Sequence, residues 1–103
     1  MKRTVKELSK MDGRVYVFFR SEETRKRFLR DAGREGFTFG DGTLLEKRKE
    51  KDNIYAINDD GTINFIGFAG HMAFLNADRI GGRKLIRIDY ERYVAGFEEY
   101  DII

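Results

Sequence analysis

The chain has 103 residues, with 20 Lys and Arg against 18 Asp and Glu, 9 Phe, 5 Tyr, and no Cys, Pro or Trp. Without cysteine, disulfides, thiolate catalysis and every zinc or iron–sulfur site built on Cys are excluded. The length predicts one α+β domain over 1–103, because a second core of ordinary size does not fit.

Leu, Ile, Val and Phe together make 28 of the 103 residues. That exceeds the roughly 20% floor below which chains tend to stay disordered, so a packed core is expected. Charged residues at 37% predict a densely ionic surface that keeps a Phe-rich chain in solution. Met1, Lys2 and Arg3 resemble the start of a signal peptide, but Lys6, Glu7 and Lys10 follow at once. The longest nearly apolar run, 66–75, is interrupted by His71 and falls far short of the roughly 20 residues of a membrane span. A soluble cytoplasmic protein is the expectation.

Thr4 and Glu7 have capping-box spacing, which predicts a short helix to about Met11 with Val5, Leu8 and Met11 on one face. The run 14–19 is β-branched and aromatic without alternation, the pattern of a central strand buried on both faces. Ser21 is a good N-cap and Glu22 and Glu23 suit a first turn, so a helix should run through Phe28, Leu29 and Ala32 to Gly33 or Gly36. Residues 36–40 alternate like a second strand. Residues 44–51 are charge-dense and without period, either a loop or a Lys-rich strand edge.

Residues 54–57 and 62–66 flank Asn58, Asp59, Asp60 and Gly61, a strong hairpin signal. From Phe68 to Ala77 a short helix or compact loop should pack over the sheet through Phe68, Met72, Phe74 and Leu75. Gly81 and Gly82 predict a turn, 84–90 a last strand, and 93–103 a helical turn with a final short pairing. The order of elements predicts a two-layer α+β sandwich: a mainly antiparallel sheet of four to five strands with two to three helices on one face.

Charge divides along the chain. Residues 1–51 hold 15 basic and 9 acidic groups, a net of +6, whereas 52–103 hold 5 and 9, a net of −4. A basic half suits phosphate, since neutralisation by Lys and Arg supplies much of nucleic-acid affinity. The competing reading of the predicted second helix is an ordinary solvated face, with Glu23, Arg27 and Asp31 at i,i+4 spacing.

Catalytic candidates are sparse. His71 is the sole histidine, in Gly67-Phe68-Ala69-Gly70-His71-Met72, and no motif links it to Ser9 or Ser21. Asp59 and Asp60 are accounted for by their turn, and no spacing suggests a metal or cofactor. Gly67 and Gly70 could point amides at an anion, or could simply let a strand turn sharply onto a packed Phe68.

Val15-Tyr16-Val17 and Gly36-Phe37-Thr38-Phe39 resemble parts of the two aromatic signatures of the RNA-recognition motif, whose rings stack on bases. The order then departs from that family. Phe37 follows the first helix directly, and a second helix between the later strands is not evident. Phe18, Phe37 and Phe39 therefore read as core. The succession VYVFF, SEETRKRFL, EGFTFGDG and NIYAINDDGTINFIGFAGHMAF resembles small single-domain accessory proteins of phages and mobile elements, including anti-CRISPR inhibitors. That resemblance implies activity by occluding a partner's surface and assigns no residue.

The expectation is a non-enzymatic protein-binding module, an inhibitor of a host nucleic-acid-processing or defence protein, acting without cofactor, metal or membrane. Interface energy concentrates in aromatic and Arg anchors, so the candidates are Arg27, Arg30 and Arg34, together with Glu98, Glu99, Tyr100 and Asp101. The alternative is RNA or DNA binding by the basic helix over 21–35, through Arg25, Lys26, Arg30 and Arg34 with Lys47, Arg48, Lys49 and Lys51.

Overall fold

The structure is a computed structural model that describes residues 3–45 and 52–102. Its elements are α1 (Val5–Ser9), β1 (Arg14–Phe18), α2 (Glu22–Arg34), β2 (Thr38–Phe39), β3 (Ile54–Ile57), β4 (Thr62–Phe65), α3 (Gly67–Asn76), β5 (Arg79–Ile80), β6 (Arg83–Asp89) and α4 (Tyr90–Ala95). The α+β class holds. The sheet has six strands in the order β2-β4-β3-β1-β6-β5.

The central strand is as its sequence predicts. β1 pairs antiparallel with β3, Val15 opposite Ile57, and parallel with β6, Val15 beside Ile86. The predicted hairpin is formed by β3 and β4, Ile57 opposite Ile63, with Gly61 at φ +88° in the turn. The expectation of a mainly antiparallel sheet of four to five strands holds only roughly: three of the five pairings are antiparallel, but β2 runs parallel to β4 and β6 parallel to β1, so the sheet is mixed, and it has six strands. Parallel neighbours need long crossovers. The chain between β1 and β6 provides one, so Arg14–Phe18 finds its second partner near the other end of the chain.

Helices lie on both faces, which corrects the one-face layout. Odd-numbered side chains of β1, Val15, Val17 and neighbouring Phe19, join Phe28 and Ala32 of α2, Val5 and Leu8 of α1, and Tyr90 and Tyr93 of α4 in the larger core. Even-numbered Tyr16 joins Ile54, Ala56 and Leu85 in a smaller core covered by Ile66 and Phe74. The period-2 alternation of strands thus serves two cores at once. This explains why the run reads as continuously apolar.

Local chemistry sets the helix ends. Thr4 Oγ1 accepts the Glu7 amide at 3.1 Å, and Ser21 Oγ accepts the Thr24 amide at 3.2 Å. Asp89, 2% exposed, caps α4 by accepting the Arg92 amide and holds the Arg20 guanidinium at 2.6 Å. α1 ends at Ser9, two residues before the predicted Met11. The predicted strand over 36–40 shortens to Thr38–Phe39 at a sheet edge, and Tyr90 belongs to α4 rather than to the last strand. The predicted final pairing survives as a bridge between Ile88 and Asp101.

The segment after the hairpin is a true helix, α3, lying between β4 and β6. This overturns the expectation that no second helix separates the later strands. The resemblance to the RNA-recognition motif still fails to supply a base platform. Phe37 and Phe39 are core residues, and Phe18 is half-buried, stacked on Phe74 at 6.1 Å. No helix among the described residues is long and apolar enough to cross a membrane.

Candidate binding surfaces

α2 presents one face to the core through Thr24, Phe28 and Ala32. The adjoining stripe at 26, 29, 30, 33 and 34 follows the i, i+3, i+4, i+7, i+8 rule of a single helical face. It forms one wall of a groove of about 580 Å³ whose other side is Phe37, Leu44 and Leu45. Arg25, Lys26, Arg30 and Arg34 line this groove together with Leu29. No carboxylate is among its described lining residues. Its chemistry is mixed apolar and cationic, with Leu44, 51% exposed, and half-buried Leu29 beside exposed Lys26, Arg30 and Arg34.

Arg25 is the most constrained of these cations. Its side chain is 11% exposed and pairs with Glu22 one turn earlier, at 3.2 Å. Lys26, Arg30 and Arg34 are exposed. Gly33 stands next to Arg34 near the C-terminal end of the stripe, and a Cβ built there meets nothing within 4 Å. The groove is open at that point for want of a side chain.

The candidate Arg residues are only partly brought together. Arg30 and Arg34 share the groove, whereas Arg27 does not line it and instead lies 3.6 Å from Asp31, whose carboxylate also accepts the Tyr90 hydroxyl at 2.7 Å. Lys47, Arg48, Lys49 and Lys51 lie outside the described residues. The acidic tail is a separate place. The Tyr100 ring packs on Tyr93 at 5.0 Å with the Arg3 guanidinium 4.9 Å from its centroid, and its carbonyl accepts the Asp89 amide. Tyr100 thus fastens the tail, while Glu98, Glu99 and Asp101 are exposed.

The tail borders a second groove, about 880 Å³, shared by Tyr100 and Asp101 with Met11, Arg79, Lys84 and Arg87. Its charges are mixed, with Asp12 and Asp78 also on its walls. It offers no single sign for a ligand to read.

A surface that the sequence reading missed is the outer side of α3. Phe68 is 83% exposed, Leu75 71% and Met72 45%, at i, i+4 and i+7. This corrects the expectation that Phe68, Met72 and Leu75 pack over the sheet: Phe74 does so, and Phe68 is not the packed residue onto which the chain turns. Gly67 does make the sharp turn, at φ +64°. The missed signal was the lack of any Asp, Glu, Lys or Arg over ten residues, which leaves α3 without a charged face to turn outward. Arg87 holds the C-terminal end of α3 by donating to the carbonyls of Phe74, at 2.7 Å, and of Ala77.

His71 Nε2 meets Asp52 at 3.0 Å and lines none of the grooves described. Both serine hydroxyls are engaged locally, Ser9 Oγ donating to the Lys6 carbonyl and Ser21 capping α2. Among the described residues no group of three or more His, Asp or Glu is arranged to hold a metal ion. No family model matches the chain, and neither a curated protein nor a solved structure does.

Proposed function

We propose that the chain is a non-enzymatic protein-binding module whose working surface is the groove along α2, and that its partner presents an anionic face. One observation carries this reading: four cations and four large apolar side chains line a single groove with no described carboxylate among them. Apolar burial supplies affinity, while like-signed rim charges steer the encounter and set orientation. Such a module acts by covering a partner's surface. In the form the mobile-element resemblance implies, it would occlude an acidic patch of a host nucleic-acid-processing or defence protein.

The test replaces Lys26 with a photo-crosslinking residue, with the same residue at Glu98 as control, and adds the double reversal Arg30→Glu, Arg34→Glu. Circular dichroism checks that the fold is kept. Cross-links to one purified partner from position 26, lost in the double reversal, support the reading. Cross-links from position 98 alone, or capture indifferent to the reversal, overturn it.

A nucleic-acid ligand is the second reading. It is favoured by Lys47, Arg48, Lys49 and Lys51, which lie two to six positions after Leu45 in sequence, with Glu46 and Glu50 among them. It requires log affinity to fall steeply and linearly with log salt. No binding of RNA or DNA at low ionic strength would reject it.

A further inference from the structure

Gly33 poses a physical question that helix formation does not answer. It lies inside the 13-residue α2, one residue before its last, with both neighbours in helix. Glycine there weakens a helix by roughly 0.8–1 kcal/mol relative to alanine. No backbone reason requires it, because its φ is not in the left-handed region and added atoms would meet open space. Unlike Gly13, whose Cβ would lie 2.6 Å from the Lys84 carbonyl oxygen, Gly33 is not crowded.

Gly33 leaves open space in the groove. It is exposed, lines the groove on the same helix face as Leu29, Arg30 and Arg34, and a side chain built there would meet no neighbour within 4 Å of its Cβ. The apolar surface a ligand meets there is chiefly that of half-buried Leu29 and of Leu44, 51% exposed, beside the exposed guanidinium groups of Arg30 and Arg34. Nucleic acid fits this poorly. Base stacking needs an open aromatic face, and the one aromatic ring lining the groove, Phe37, is only 5% exposed. A carboxylate-rich polypeptide with one bulky apolar side chain fits both kinds of surface.

Resting on the reading of the groove given above, we propose that its ligand is an acidic protein segment carrying an apolar anchor. The anchor seats over Gly33 while flanking carboxylates pair with Arg30 and Arg34. Gly33 is then the specificity-determining position.

Three fluorescent probes of equal length test this by anisotropy: an acidic peptide with one central Leu, the same peptide with Ala there, and oligo-dT. The Leu peptide is expected to bind about ten- to hundredfold tighter than the Ala peptide, from burial of one aliphatic side chain. Gly33→Leu should reduce it to the level of the Ala peptide while raising the melting temperature, which separates lost binding from lost folding. Arg30→Glu with Arg34→Glu should weaken both peptides.

Equal binding of the two peptides, still dependent on Arg30 and Arg34, overturns the anchor and leaves the anion-binding groove standing. A preference for Leu untouched by Gly33→Leu also overturns it. Tighter binding of oligo-dT than of the Leu peptide makes the groove a nucleic-acid site. Binding of no probe, with no effect of the charge reversal, removes both the anchor and the groove reading.

Discussion

Tyr93 should give the protein a stability whose dependence on alkali reverses the rank of two variants. The residue is 2% exposed, and its hydroxyl donates to the Thr4 carbonyl at 2.6 Å. Burial first, and then the negative charge of Glu7, push its pKa up to about 12. An unfolded tyrosine titrates near 10, so the folded state holds the phenolic proton more tightly. The associated stability is fully present below about pH 10 and is lost as pH rises through 12. Two units of difference amount to about 2.7 kcal/mol as an order of magnitude. Tyr93→Phe deletes this dependence together with the hydrogen bond to Thr4, whose net contribution is about 1 kcal/mol. The Phe variant should therefore be the weaker protein by about 1 kcal/mol near pH 8. Above about pH 12 it should be the stronger by about 1–2 kcal/mol, with the order crossing between about pH 10 and 11. Urea unfolding of both proteins by circular dichroism across this range measures the difference, and ionisation of Lys residues, common to both, cancels. A gap that stays constant with pH would refute the argument.

Phe28 is fully buried, with ring centroids 5.1 Å from Phe19 and 5.0 Å from Tyr90, so Phe28→Ala should remove about 3–5 kcal/mol, read as a drop in the denaturant midpoint. Two glycine-to-alanine changes should move thermal stability in opposite directions. Gly13→Ala drives a Cβ against backbone at Lys84 and should destabilise by about 1–3 kcal/mol, whereas Gly33→Ala should stabilise by up to about 1 kcal/mol. Arg87→Met removes the donors that hold the carbonyls of Phe74 and Ala77. Amide exchange in α3 should then speed up while that in α2 stays unchanged, and equal acceleration in both helices would show that Arg87 does no more than support the fold as a whole.

Elements whose signal is local were legible in the sequence. Ser21 with its acidic first turn marks α2 within a residue, and the Asn58 to Gly61 turn fixes the β3-β4 hairpin. What failed was information that is not local. The strand order is set by which edges meet, and nothing near Arg14 announces that its partner strand includes Leu85. The sidedness of the helices was hidden for a related reason: a strand buried on both faces demands cover on each, yet does not say which helix provides it. Arg30 and Arg34 were found because a charged stripe on a helix has a period. Leu44 and Leu45, the opposite wall of their groove, sit in an aperiodic stretch, and their contribution depends on how the chain folds back past Phe39.

The parallel pairing of β1 with β6 has a bearing on synthesis. The middle of the sheet is made early, but one of its two flanks stays bare until residues 83–89 have left the ribosome. Until then Tyr16 lacks Leu85 in its cluster, and the backbone edge of β1 is open to a stray strand. Nascent chains stalled short of that point should be captured by holdase chaperones, and chains stalled well beyond it should be released.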